Sequence, residues 1–336
     1  MRALFKTLKY LIIISLVLVV AVYASLLPKP FMTHVQEPVS STPKAFSGQL
    51  KVISFNLGLL DIRVLGKSVF KPTEFIEERA KHIPHALLQR NADVIALQEI
   101  YEKRDIEFFI QKLKQEYPYY FFAHKSLIKL NNGLMVFSKY PFIRTMSESQ
   151  QEKGPIDEML IADRGILSTV IKLTDQKRVN LINLHATSGG TLNRQDDDNI
   201  NLMRTRQLEQ ALKLALTNNT EYQIILGDFN AGPRFSAINY KYLLENDFTD
   251  VYAAYAQQRG ITPKPTWTGD NPLNAMRGYT AAEAQLIDHI YISRRLRTDS
   301  RIRSARRVFD ENIVEVDGKM YPLSDHYGVE VLLQIK

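Results

Sequence analysis

Between residues 49 and 336, short runs of β-branched and aromatic residues alternate with stretches whose apolar positions recur every three or four residues, a pattern that predicts an α/β architecture. KVISF (51–55), DVIAL (93–97), YYFFA (119–123), LMVFS (134–138), ILSTVIKL (166–173), VNLINL (179–184), QIILG (223–227), IDHIYI (287–292) and GVEVLLQI (328–335) read as strands. Helices are fewer. Residues 73–89 place Ile76, Ala80, Ile83 and Leu87 on one stripe, with Thr73 as N-cap and Pro84 as a kink. Residues 104–116 do the same with Ile106, Phe109, Ile110 and Leu113, and residues 200–216 with Met203, Leu208 and Leu212. So many strands crowd a single open sheet, so the expectation is two packed sheets with helices outside, in one domain over 49–336.

The amino terminus breaks this pattern. MRALFKTLK is cationic, and YLIIISLVLVVAVYASLL (10–27) is an apolar run long enough to cross about 30 Å of hydrocarbon at about 1.5 Å per residue. Residues 1–27 therefore read as a signal anchor or transmembrane helix. Val22-Tyr23-Ala24 also resembles a signal-peptidase site, and cleavage there leaves a secreted or periplasmic protein. Basic residues before the span put the remainder on the non-cytoplasmic side. Residues 28–48 hold four Pro without apolar periodicity, so they read as a linker.

The net charge of +7 is unevenly spread: residues 1–48 carry +4, and residues 294–307 hold seven Arg against one Asp. The remainder is acidic, which argues against a globally basic nucleic-acid binder. The Arg-rich run suits anionic headgroups, a nucleic-acid backbone or a solvated hairpin. There is no cysteine, so thiolate nucleophiles, zinc–thiolate sites and disulfides are excluded.

Polar side chains fall at the ends of the apolar runs. Asn56 follows KVISF, Glu99 follows DVIALQ, His185 follows VNLINL, Asp228 and Asn230 follow QIIL, and Asp325-His326 precede GVEVLL. Strand-end loops on a rigid scaffold are where catalytic groups gather. Glu99, Asp228 and Asp325 with the amides of Asn56 and Asn230 offer hard oxygen ligands that suit Mg²⁺, with Mn²⁺ as the alternative. His326 with an acidic partner can take a proton from water near neutral pH. Such a set fits hydrolysis of a phosphoric ester.

LKVISFN, DVIALQE, NNGLMVFSKYPF, INLHA, IILGDFN, LIDHIYIS and LSDHYGV resemble the successive motifs of the endonuclease/exonuclease/phosphatase superfamily, in the same order. The resemblance implies a four-layer α/β/β/α sandwich of two mixed sheets with a divalent metal at their open ends. It implies Glu99 as the principal metal ligand, with Asn56 beside it and Asp325 contributing. His326 becomes the general base oriented by Asp288, while His185, Asp228 and Asn230 bind the scissile phosphate; the aspartate of GDFN is the alternative activator of water. GLMVFSKYPF, DRGILSTVI and NLHA look most like the neutral sphingomyelinase branch, in which Lys-Gly often stands where this chain has Arg164-Gly165, so Arg164 becomes a candidate phosphate ligand, or a surface partner of Asp163. Trp267, the only tryptophan, is a candidate for an interface, base stacking or loop packing, and residues 196–198 form an acidic loop suited to solvent or calcium.

The expected function is a membrane-tethered, Mg²⁺-dependent phosphodiesterase acting on a phospholipid headgroup. The tether supplies the reason, because a domain held at a bilayer meets lipid at high effective concentration. The alternatives are an exported nuclease of deoxyribonuclease I type, an inositol-phosphate phosphatase and an inactive scaffold. No protein partner is implied, and a monomer is expected.

Overall fold

The computed structural model describes residues 2–26, 32–36, 44–64, 67–124, 130–190, 197–218 and 220–336. In chain order the first half comprises α1 (Arg2–Leu26), β1 (Met32–Gln36), β2 (Gln49–Asn56), β3 (Ile62–Val64), β4 (Lys67–Phe70), α2 (Ile76–Arg90), β5 (Val94–Gln98), α3 (Lys103–Leu113), β6 (Tyr119–His124), β7 (Met135–Ser138), β8 (Phe142–Ser149), α4 (Ile156–Ile161) and β9 (Gly165–Lys172). The second half comprises β10 (Arg178–His185), α5 (Asp198–Thr217), β11 (Tyr222–Asp228), α6 (Ala237–Glu245), β12 (Phe248–Asp250), α7 (Val251–Arg259), α8 (Pro272–Met276), β13 (Asp288–Ser293), α9 (Arg294–Asp299), β14 (Ser300–Val308), β15 (Asn312–Val316), β16 (Lys319–Pro322) and β17 (Gly328–Ile335). Each of the nine expected strands is present.

Two mixed sheets result, ordered β1-β6-β7-β5-β2-β17-β14 and β12-β13-β11-β10-β9-β8. Their central strands are apolar on both faces because both faces are covered. Val52, Val94 and Val136 of the first sheet meet Leu181, Ile224 and Ile290 of the second in the core between the sheets. The opposite faces bury Ile53, Phe55 and Leu97 under α2 and α3, and Ile182, Leu184 and Ile225 under α5 and α6. The layers are therefore α/β/β/α. Each sheet has one parallel pair, β2 with β5 and β10 with β11. A parallel pair needs a crossover, supplied by α2 and α5. Both pairs consequently end at the same open edge.

Several local expectations change. Helix α2 starts after Phe75, whose backbone is left-handed at φ 56°, and Thr73 caps nothing. Thr73 instead donates its hydroxyl to Gly58 O and accepts from Arg79 Nη2. Asp197 is an N-cap, accepting from Asn199 N at 2.8 Å, so it belongs to α5 rather than to an acidic loop; residue 196 lies outside the described residues. Residues 294–307 form α9 and most of edge strand β14, where Ile302, Ala305 and Val308 are buried while Arg301, Arg303 and Arg306 are exposed. Four arginines of this run pair with acidic neighbours, Arg294 with Asp247, Arg295 with Asp299, Arg306 with Glu330 and Arg307 with Asp310, so it is not an open basic patch.

Among the described residues, no helix is long and apolar enough to cross a membrane, so the expected transmembrane span is not supported. The apolar run is nonetheless helical in α1, with Leu11, Leu16 and Val17 exposed. Met32–Gln36, inside the expected linker, is a strand paired antiparallel with β6.

Arg79 ties the open edge together. Fully buried, it donates to Leu57 O, Gly58 O, Leu323 O and Glu74 O. Burial lowers its pKa to about 10, and nearby carboxylates, Asp325 first, keep it charged. Arg79→Leu strands these acceptors without a donor and should lower stability by about 3–5 kcal/mol, read from urea unfolding monitored by circular dichroism. A loss under about 1 kcal/mol would show that water replaces the guanidinium.

Candidate active site

Residues at or just past the ends of β5, β10 and β11, and at or just before the starts of β9, β13 and β17, line one cleft of ≈ 350 Å³. Glu99, Arg164, His185, Asp228, Asn230, Asp325 and His326 all reach it. Asn56 lies beneath, where its Nδ2 donates to Glu99 Oε1 at 3.0 Å and to Asp228 Oδ2 at 2.9 Å. Glu99 comes from the first sheet and Asp228 from the second, so one amide bridges the sheets. The Asn56 Oδ1 accepts from Gly58 N at 3.0 Å. Gly58 is left-handed at φ 57°, and a Cβ there would lie 2.1 Å from Asp325 Oδ1; glycine is what lets Asp325 approach.

Glu99 itself is left-handed at φ 57°, as is Asn230 at φ 47°. For a glutamate that conformation costs about 1–2 kcal/mol, and it turns the chain as β5 ends. Asn230 N donates to Asp228 Oδ1 at 2.8 Å, fixing that carboxylate.

Two histidines flank Asp228. His326 shares its Nδ1 with Asp288 Oδ2 at 3.0 Å, leaving Nε2 3.8 Å from Asp228 Oδ2. Asp288 is held by Thr266 Oγ1, which accepts from its backbone N. His185 Nε2 lies 3.6 Å from Asp228 Oδ2 and 4.0 Å from Glu99 Oε1. Burial lowers the His185 pKa to about 3, outweighing Asp228, so this ring is neutral. Burial also opposes charge on His326, but Asp288 and Asp228 outweigh it and raise its pKa well above the ordinary value. Burial, then the Asp325 charge, raises the Glu99 carboxyl to about 7. The two rings are thus pushed in opposite directions across a single carboxylate.

Arg164 and Asn230 spend donors on the chain after His185. Arg164 Nη1 donates to His185 O and Ala186 O, both at 3.1 Å, and Asn230 Nδ2 donates to Ala186 O at 3.0 Å. Arg164 forms an ion pair with Glu158 at 2.7 Å.

Sequence reasoning missed Glu158, whose Oε1 accepts from Ser188, Gly189 and Gly190 backbone N–H and whose Oε2 accepts from the Thr187 hydroxyl. Nothing near Glu158 in the sequence marks it. Gln98 and Asn183 were also missed. Gln98 Nε2 donates to Asn183 Oδ1 at 2.8 Å, and Asn183 Nδ2 returns to Leu97 O at 3.0 Å, clamping the sheets below the cleft. Their signal was a polar residue inside an apolar run.

Asp228, Asp288 and His326 present ligand atoms within 4.8 Å of one another, a spacing that could hold a cation. Asp288 Oδ2, however, is already engaged by the His326 ring. The carboxylates of Glu99 and Asp325 are the freer pair, and their mutual repulsion is of the kind that a cation relieves.

Comparison with known proteins shows that the fold is shared. Three solved structures have similar folds. A Staphylococcus aureus beta toxin variant with bound magnesium ions has a TM-score of 0.64 at 19% identity, covering 86% of this chain and 100% of that one. Sphingomyelinase C from Streptomyces griseocarneus has a TM-score of 0.64 at 20% identity, covering 84% and 98%. TDP2 from D. rerio complexed with single strand DNA product has a TM-score of 0.60 at 18% identity, covering 85% and 98%. None of the curated proteins compared matches the chain. The profile of the Endonuclease/Exonuclease/phosphatase family matches residues 53–326, from the strand that carries Asn56 to the histidine beside Asp288. That span takes in the whole of the six-stranded sheet, β5, β6, β7 and β14 of the seven-stranded one, and every residue of the cleft named above, and the chain belongs to this family.

Proposed function

We propose that the protein is a Mg²⁺-dependent phosphodiesterase that hydrolyses the headgroup linkage of a phospholipid. The observation that carries the reading is the Asn56 bridge between Glu99 and Asp228, which gathers carboxylates of both sheets beside the His326–Asp288 pair. The donor set fits Mg²⁺, because it is oxygen-rich and free of thiolate. Glu99 and Asp325 would hold the ion, with Asn56 adjacent. When bound, it supplies charge neutralisation on the phosphoryl oxygens. His326, oriented through Nδ1 by Asp288, turns Nε2 toward the cleft, where its neutral form accepts the proton of the attacking water; a cation held by Glu99 and Asp325 would oppose the proton that the neighbouring carboxylates favour on the ring. Neutral His185 and the fixed Asp228 line the place where phosphoryl charge develops. Arg164 and Asn230 serve the phosphate by holding the chain after His185.

Lipid is favoured over nucleic acid by three observations. The apolar side chains of α1 are exposed, 56% for Leu11 and 62% for Leu16, and a surface of that kind associates with membrane. Phe70 and Trp267 stand at the cleft mouth. Four of the seven arginines of 294–307 pair with carboxylates, which leaves a smaller basic surface for a nucleic-acid backbone. The exposed helix supports attachment to a membrane surface.

His326→Ala should lower kcat by about 10²–10⁴-fold, measured with bis-p-nitrophenyl phosphate. Wild-type turnover by this variant would remove His326 from the mechanism. Glu99→Gln should weaken Mg²⁺ binding at least about tenfold by calorimetry and, by relieving repulsion with Asp325, leave the Tm of EDTA-treated protein equal or higher. A lower Tm with Mg²⁺ affinity retained would make Glu99 a structural residue. Phospholipid in mixed micelles should release a phosphorylated headgroup while supercoiled plasmid stays intact; nicking without lipid turnover would move the assignment to a nuclease. On fractionation the full chain should sediment with membranes, whereas a soluble product beginning at Ser25 would identify a cleaved signal.

A further inference from the structure

The outer wall of the cleft is built from the segment between α7 and β13. Trp267 and Gln285 exchange backbone hydrogen bonds of 2.9 and 2.8 Å, and Trp267 also bridges to His326. Asn271 Nδ2 donates to Ser324 O, and Asn274 Nδ2 donates to Asp325 O, each at 2.9 Å. Tyr279 N donates to Asn274 O at 3.1 Å, and its carbonyl comes so near Gly269 that a Cβ there would lie 2.2 Å away. The wall is thus anchored to the backbone of the Asp325–His326 pair, and groups it presents hold a fixed position relative to the reacting phosphate.

It presents an aromatic pair and one cation. Trp267 and Tyr279 meet edge to face at 5.7 Å, and the Arg277 guanidinium lies over the Tyr279 ring at 4.9 Å. Among the described residues two arginines and no lysine line the cleft. Arg164 is held by Glu158 and two carbonyls, whereas no carboxylate is recorded against the exposed Arg277. Arg277 is therefore the cation with donors left for a substrate.

We infer that Arg277 determines headgroup specificity, selecting a phosphodiester whose headgroup carries a further anionic group over one that ends in a quaternary ammonium. The inference rests on the lipid reading above and names the substrate class for that site. A quaternary ammonium is recognised by open aromatic faces, and here the guanidinium already occupies the Tyr279 face and repels a second cation. A phosphate or carboxylate meets the planar fork of an arginine whose stacking limits its freedom.

The test uses soluble diesters, so that membrane binding does not enter. Full-length protein with Mg²⁺ is assayed on glycerophosphoinositol phosphate and on glycerophosphocholine, as wild type, Arg277→Gln and Arg277→Lys. Wild type should favour the anionic diester by about tenfold in kcat/KM, Arg277→Gln should erase that ratio through KM, and Arg277→Lys should restore part of it. A merely structural role would lower turnover of both diesters alike, and that result would overturn the inference. So would a wild-type preference for the choline diester, which leaves the lipid reading standing. Nicking of plasmid with neither diester cleaved would defeat the lipid reading and the inference together.

Discussion

Two sheets that each end in carboxylates repel at their open edge unless something stands between them. In this protein the Asn56 amide does, donating at 3.0 and 2.9 Å to one carboxylate of each sheet. The Gln98–Asn183 clamp fixes the same separation one layer deeper. These contacts sit where polar groups displace apolar ones in an otherwise dry core, and buried polar groups are stable only when paired. The price of this arrangement is a strained Glu99 backbone and a carboxyl whose charge burial disfavours. Its return is a set of charges fixed in place, which needs no reorganisation as the reaction proceeds.

The opposed histidines follow from the same geometry. Both rings face Asp228 and both are buried, yet only His326 has a second carboxylate, Asp288, on its other nitrogen. Burial decides the state of His185, and the added partner decides that of His326. Exchanging the roles of the rings would take only the transfer of one carboxylate.

Much of this was legible in the sequence. The apolar runs located the central strands because both faces are covered, so hydrophobicity alone marks them. Strand β8 escaped notice because FIRTMSES is mostly polar and only its Phe142 is buried, and β14 because its arginines masked the buried alternation of Ile302, Ala305 and Val308. Site residues were visible as polar groups at the ends of apolar runs. Their partners were not: the pairing of Arg164 with Glu158 depends on where α4 is laid against the loop after β10, and no periodicity encodes that. The start of α2 was misplaced for a related reason, since Thr73 is drawn away from capping by Arg79 and the carbonyl of Gly58.

Among the described residues, strand β14 has a strand neighbour on one side only. An exposed strand flank invites another copy of the chain to add to the sheet. Here two copies meeting flank to flank would bring the exposed Arg301 and Arg303 of each toward the other, like charges that count against the pairing. The arginines that looked like an invitation to a polyanion thus have a second reading, as like charges on an edge strand.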